Sequence, residues 1–216
     1  MHNYSDKVGI ELSSGNPGSI LYPLMEDFLT LQGEGTWTGT SAYFIRLGGC
    51  DVGCHWCDVK ESWDAGKHPL VSVEEIIGRV KNTSVKRVVI TGGEPFFHDL
   101  NPLTTALHES GYLVHCETAG VYPLTGKWDW ICFSPKKFKA PLPEWYTICN
   151  ELKVIVYNRH DLEWAMEQAA KCTAETQLFL QPEWSKQDFL PEIVTFIKDH
   201  PEWRLSLQTH KFLGIP

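Results

Sequence analysis

Apolar and polar positions alternate along the chain in two rhythms, short all-apolar runs and helical stripes. "SAYFIRL" (41–47) reads as a strand running into a cysteine-rich loop. Ser72 and Glu75, three apart, form a capping-box pattern ahead of Val73, Ile76, Ile77 and Val80, which share one helical face. "RVVIT" is a buried strand ending at Gly92-Gly93, followed by a helix with Pro102 near its first position and Leu100, Leu103 and Leu107 inward. "YLVHC", "WICF" and "ELKVIVY" continue the strands. Asp161 is then expected to cap a helix burying Leu162, Ala165, Met166 and Ala169. "QLFLQ", a helix lined by Leu190, Ile193, Val194 and Ile197, and "WRLSLQ" complete the series. Such alternation predicts an α/β fold with a parallel sheet, either a partial barrel or an open doubly wound sheet of six or seven strands. "ETAGVYPLTGKWD" is too short and broken for a full crossover helix, so one helix is expected to be truncated.

The polar motifs fall where the strands end. The cysteine loop, "TGGEP", "CETAG", "FSPKK", "QPEW" and "QTHK" each follow a strand. In a parallel sheet those positions share one edge, so six motifs far apart in sequence are predicted to converge on one pocket. Residues 1–22, rich in Gly, Ser and Asn, read as an extension or edge hairpin, and 23–216 as the domain proper.

Composition narrows the class. With 43% hydrophobic and 21% charged residues, 216 residues can bury a full core. A net charge of −8 argues against a surface built for nucleic acid or anionic lipid. No apolar run approaches membrane-spanning length, and the start lacks a secretory h-region. Seven cysteines, one tight cluster and four singles, suit ligand chemistry in a reducing cytoplasm better than a disulfide framework.

Cys50, Cys54 and Cys57 in "GGCDVGCHWCDVK" are one thiol short of a closed structural zinc site or a fully ligated iron–sulfur cluster. Zinc would need a second knuckle, and none follows. A thioredoxin-like pair leaves Cys50 unexplained. A [4Fe–4S] cluster on three thiolates leaves one iron open to a small molecule. This C-x3-C-x2-C spacing, with an aromatic residue before the last cysteine, resembles the radical S-adenosylmethionine (SAM) superfamily. The resemblance implies that SAM binds the open iron and is cleaved by one electron to a 5′-deoxyadenosyl radical. It further implies that Gly92, Gly93 and Glu94 hold the methionine amino group. Ser134, Pro135, Lys136 and Gln181 would contact ribose or carboxylate, while Trp56 and Asp58 line the adenosyl side.

"FLTLQGEGTWTGTSAYFIRLGGC", "TGGEP" and the terminal "WRLSLQTHKFLGIP" resemble the 7-carboxy-7-deazaguanine synthase (QueE) family of queuosine biosynthesis from about Tyr22 to the end. That resemblance implies a modified, incomplete (β/α) barrel of about six parallel strands. It implies a ring contraction of 6-carboxy-5,6,7,8-tetrahydropterin to 7-carboxy-7-deazaguanine, with loss of ammonia and regeneration of SAM. A homodimer and a flavodoxin-type electron donor follow from it too. For the pterin, backbone groups at Leu31 and Gly33, the Gln32 amide and the Glu34 carboxylate are candidate readers of the ring edge. Arg46 is the candidate fork for the substrate carboxylate. Thr91, His210 and the Pro216 carboxylate complete the set. The bland alternatives are an ion-paired Arg46, a turn role for Gln32 and a frayed end at Pro216. The family follows the third cysteine with Asp-Thr, whose hydroxyl ligates Mg2+. Here Val59 stands in that place and has no oxygen to offer a hard cation, which puts the Mg2+ in doubt. Another small radical SAM enzyme, such as a glycyl-radical-enzyme activase, and a non-catalytic metal-binding module are the rival readings.

Overall fold

The computed structural model describes residues 19–216, so the expected N-terminal extension lies, up to position 18, outside the described residues. Strand β1 (Leu21–Leu31) leads to β2 (Ser41–Leu47). The cysteine loop separates β2 from β3 (Leu70–Ser72), which passes into helix α1 (Val73–Lys81). Then follow β4 (Arg87–Gly92), α2 (Asn101–Glu109), β5 (Leu113–Thr118), β6 (Trp130–Phe133) and the short α3 (Trp145–Ile148). The chain ends with β7 (Glu151–Val156), α4 (Arg159–Ala169), β8 (Gln177–Pro182), α5 (Leu190–Asp199), β9 (Trp203–Leu205) and α6 (Thr209–Leu213).

The sheet has nine strands in the order β3-β1-β2-β4-β5-β6-β7-β8-β9 and does not close into a barrel. From β2 to β9 every pairing is parallel, while β1 pairs antiparallel with both β2 and β3. The expected incomplete barrel of about six parallel strands is therefore present with seven, extended by an antiparallel pair. No helix separates β5 from β6, as "ETAGVYPLTGKWD" foretold.

Local chemistry accounts for most boundaries. The Ser72 hydroxyl accepts from the Glu75 amide and starts α1, burying Val73, Ile76, Ile77 and Val80 as the spacing demands. The expected cap of α4 is corrected. Asn158 is the N-cap, and Asp161 sits three residues on, accepting from the Tyr157 and Asn158 amides in a capping box. Met166 faces outward at 38% exposure, because the buried stripe runs through Leu162, Ala165 and Gln168.

Strand alternation sorts the sheet into two faces. Ile90, Cys116, Phe133, Leu152 and Val154 turn to the helices and join Ile76, Leu103, Leu107, Leu162, Ala165 and Ile193 in the main core. The opposite face is concave and carries polar residues near the C-terminal ends of the strands. The gap between β9 and β1 is bridged by the last residues of the chain. The Gly35 amide donates to Ser206 Oγ (2.9 Å), and the Thr209 amide and hydroxyl both donate to the Gly33 carbonyl (3.0 Å each).

Candidate active site

One cavity occupies the concave face where the strands end. Its wall includes Cys50, Cys54 and Cys57, Gly92 and Gly93, Thr118, Ser134 and Lys136, Gln181, and His210. All six polar motifs placed after strands contribute to it, as predicted. Leu31, Gln32, Gly33, Glu34, Arg46, Trp56, Asp58, Thr91 and Pro216 also line it. Two expected residues do not: Glu94 and Pro135 are absent from the wall.

On the cysteine side, the double glycine is a packing device first. A Cβ on Gly93 would stand 2.6 Å from Cys50 Cβ and 2.5 Å from the Gly49 carbonyl oxygen, and one on Gly92 2.1 Å from the Leu47 carbonyl oxygen. Only glycine lets the end of β4 press against the start of the cysteine loop. The Gly93 and Glu94 amides then donate to Leu47 and Gly49 carbonyls, at 3.0 and 2.9 Å. Glu94, the residue expected to offer its carboxylate to an ammonium, has both oxygens bonded within the protein. It is 1% exposed; one oxygen accepts from the Thr118 hydroxyl (2.6 Å) and the Phe96 amide (3.2 Å), the other from the Ala119 amide (2.7 Å). The carboxylate ties β4 to β5 beneath the cavity. Pro135 is buried behind Ser134 and Lys136, with Lys136 Nζ donating to the Ser134 carbonyl and hydroxyl (2.5 and 2.6 Å).

Around the thiols the surroundings are apolar: Val52, Ala119 and Val121, with Trp56 and Tyr122 packed against them. Burial pushes the Cys50 thiol up to about 11 and raises that of Cys54, where Lys136 opposes the shift. All three cysteines of this wall are free thiols. Among the described residues, no three His, Cys, Asp or Glu side chains form a group that could hold a metal ion.

The opposite side is dense with charge. The loop after β1 folds on itself: Gln32 Oε1 accepts from the Glu34 amide (3.1 Å), and the Gln32 backbone bonds Thr40 and Gly39 (2.8 Å each). The Gly33 carbonyl accepts from the Thr209 amide and hydroxyl, so that one of the groups expected to read a ring edge is already engaged. Gly33 also makes room for His210, whose Nδ1 lies 2.0 Å from where a Cβ would be. "LQGEG" and "QTHK", far apart in sequence, thus form one wall. Gln32 Nε2 donates to Glu117 Oε1 (3.0 Å). Lys153 Nζ donates to Glu34 and, at 3.3 Å, to Glu117. Burial would raise the Glu34 carboxyl, but Lys153, with His210 and Gln181, overrides it and holds it well below the carboxylate range. Gln181, 2% exposed, accepts from Ser206 Oγ at 2.7 Å.

Arg46 reaches the cavity from β2 but is also ion-paired, its Nε 2.6 Å from Glu26. Asp58 lines the cavity and accepts from Lys211 Nζ at 2.6 Å, on the side of the terminal helix. The Pro216 oxygen accepts from Thr30 Oγ1 at 2.9 Å. Lys153 and Glu117 were not singled out from the sequence. A lysine amid the apolar run of "ELKVIVY" is the signal that could have found Lys153, while Glu117 lay within the "CETAG" motif.

The model of the radical SAM superfamily matches residues 44–132. The 7-carboxy-7-deazaguanine synthase of Flavobacterium psychrophilum is 55% identical over 197 residues, 91% of this chain and 93% of the relative. The chain belongs to the 7-carboxy-7-deazaguanine synthase family. The family's member in Synechocystis is 49% identical over 91% of this chain and 95% of its own length. The crystal structure of QueE from Escherichia coli matches with a TM-score of 0.76 at 34% identity, covering 87% of this chain and 93% of that one.

Radical SAM membership implies a [4Fe–4S] cluster and SAM. The cysteine wall of this synthase-family chain fits that group: three free thiols face one cavity in apolar surroundings, beside two glycines that hold the loop close. Val59 also lines the cavity, without an oxygen for Mg2+. No helix among the described residues is long and apolar enough to cross a membrane.

Proposed function

We propose that this chain converts 6-carboxy-5,6,7,8-tetrahydropterin into 7-carboxy-7-deazaguanine with loss of ammonia, as a radical SAM carbon–nitrogen lyase. The observation that carries the reading is the meeting of the "LQGEG" turn with Thr209 and His210, across the cavity from the cysteine loop. When bound, the cluster and SAM supply the radical that removes one hydrogen atom from the pterin. Cys50, Cys54 and Cys57 would hold the cluster. Gly92, Gly93, Ser134, Lys136, Gln181 and Trp56 would hold SAM, with the cavity shielding the radical from solvent.

On the other wall, Gln32, Glu34, Thr91 and His210 would orient the pterin ring. Arg46, exchanging Glu26 for the substrate, would hold its carboxylate, near the Pro216 end. Mg2+, if it takes part, would be held by substrate and water, since Val59 offers no ligand and Asp58 is engaged by Lys211. The electron would come from a flavodoxin-type donor. A homodimer is the assembly that the family resemblance implies. Cytoplasmic work suits seven free cysteines.

The deciding experiment is an anaerobic assay of reconstituted protein with SAM, dithionite, Mg2+ and the carboxytetrahydropterin, read by mass spectrometry. The expected product has the mass of 7-carboxy-7-deazaguanine and forms without stoichiometric loss of SAM. SAM cleavage with the pterin untouched would keep the radical chemistry and reject the substrate.

A further inference from the structure

We infer that Lys153 is a positioning residue for the substrate: its ammonium, fixed between Glu34 and Glu117, keeps both carboxylates charged and turned to the donor edge of the pterin. This rests on the substrate reading above. Lys153 lies in the middle of β7, and its side chain is 3% exposed. A buried ammonium in a parallel strand is costly unless it is paired and hydrogen-bonded. Its partners come from distant parts of the chain, Glu34 from the loop after β1 and Glu117 from β5. Both carboxylates line the cavity, as does Lys153.

Without the cation, two carboxylates would share one buried site, and one of them would take up a proton. A protonated carboxyl accepts fewer hydrogen bonds from the amino and ring N–H groups that a pterin presents on its pyrimidine edge. With the cation, each carboxylate keeps acceptor sites for those donors, because an ionised carboxylate offers about four lone-pair directions. Glu117 spends one on Gln32 and one on Lys153. Glu34 spends one on Lys153 and another on the Gln181 side chain.

The other charged or titratable groups facing this trio do not replace Lys153. Glu151 lies two residues away on β7, and Cys132 faces it from β6. Lys136 acts from the cysteine side but is anchored on Ser134. His210 faces Glu34 from α6, and Asp58 is neutralised by Lys211. Burial opposes the charge on Lys153, but the carboxylates of Glu117, Glu34 and Glu151 more than offset it, and the ammonium's pKa stands well above its ordinary value. Lys153 thus stands in the wall as a positive charge fixed between two carboxylates.

The test is Lys153→Gln, loaded with cluster and SAM, with the dissociation constant of 6-carboxytetrahydropterin measured anaerobically from pH 6.5 to 9. Wild type, titrating the same ligand, is the reference. Its affinity is expected to stay level, because the Lys153 ammonium remains in place between the two carboxylates. The variant is expected to bind at least 30-fold more weakly at pH 7 and to recover affinity as pH rises through the raised carboxyl pKa. Unchanged affinity, or a loss equal at every pH, would overturn the assignment. Failure of wild type to bind the pterin would instead reject the substrate reading itself. If Lys153→Gln does not fold, Lys153→Arg decides: retained charge should give a level pH profile, and an acid-sensitive one would overturn the proposal.

Discussion

The two walls of the cavity are built on opposite plans. The cysteine wall is apolar and held by close backbone contact, with Gly92 and Gly93 against Leu47, Gly49 and Cys50. The facing wall is a network of charges and amides: Lys153, Glu34, Glu117, Gln32 and Gln181. The first plan suits a cofactor that brings its own reactivity and needs a dry, well-shaped seat. The second suits recognition of one small polar molecule, where each unpaired buried group penalises the wrong ligand. Generic chemistry and specificity are thereby separated in space, and variants should separate them in assays.

The largest effect is expected from Gly93→Ala. The added Cβ meets a backbone oxygen at 2.5 Å and Cys50 Cβ at 2.6 Å, and neither can swing away as a side-chain end would. The cysteine loop must move, so iron and sulfide per chain after reconstitution should fall below about a tenth of wild type, and SAM cleavage with them. Far-UV circular dichroism should stay native, since the sheet itself is untouched. A full complement of iron would show that the glycine serves only the ligand, as the sequence alone suggested.

Gly33→Ala attacks the other wall. Its Cβ would stand 2.0 Å from His210 Nδ1 and 2.9 Å from the His210 amide, so the ring and its backbone must both give way. KM for the pterin should rise by at least about tenfold, while uncoupled SAM cleavage changes less than twofold. Equal losses in both would mean that the walls are not independent, and the comparison would fail.

How legible these walls were in the sequence follows from their construction. The cysteine spacing, the double glycine and the Ser72 cap are local patterns, and all three lie where the sequence placed them. Strand β1 was not foreseen. Pro23 and the acidic pair Glu26-Asp27 interrupt its apolar run, and its pairing with β2 and β3 is antiparallel, unlike the rest. Lys153 and Glu117 were passed over because strand propensity treats a lone charge as noise. The parallel register gives it meaning. Arg46 pairs with Thr91, and Glu117 with Cys132, along adjacent strands on the cavity face. Such a row appears only when the strands are laid side by side. Glu94 shows the other side: its motif is visible in the sequence, but its partners Thr118 and Ala119 come from β5 and the turn after it.

Arg46→Ala should show a smaller loss confined to the pterin side. Losing a charge-assisted hydrogen bond to the substrate carboxylate costs about 1.5–3 kcal/mol, or about 10- to 100-fold in KM. The loss is tempered because Arg46 must first leave Glu26, 2.6 Å away. Glu26→Gln frees the guanidinium and should lower KM about two- to threefold. An unchanged KM in Arg46→Ala would make the arginine a structural partner of Glu26 and nothing more.

The smallest expected effect sits where the walls meet. Val59 follows the cysteine loop and lines the cavity, and Asp58 beside it is bound to Lys211 at 2.6 Å from the terminal helix. Val59→Thr adds one hydroxyl at nearly constant shape, so fold and cluster content should be unchanged. If Mg2+ bridges the protein to the pterin, that oxygen gives it a ligand it now lacks. The Mg2+ concentration for half-maximal turnover should then drop a few-fold, while turnover at saturating Mg2+ stays near wild type. The alternative is a metal response identical in both proteins. The ion would then be anchored wholly by substrate and water, and the junction between the walls would contribute shape alone.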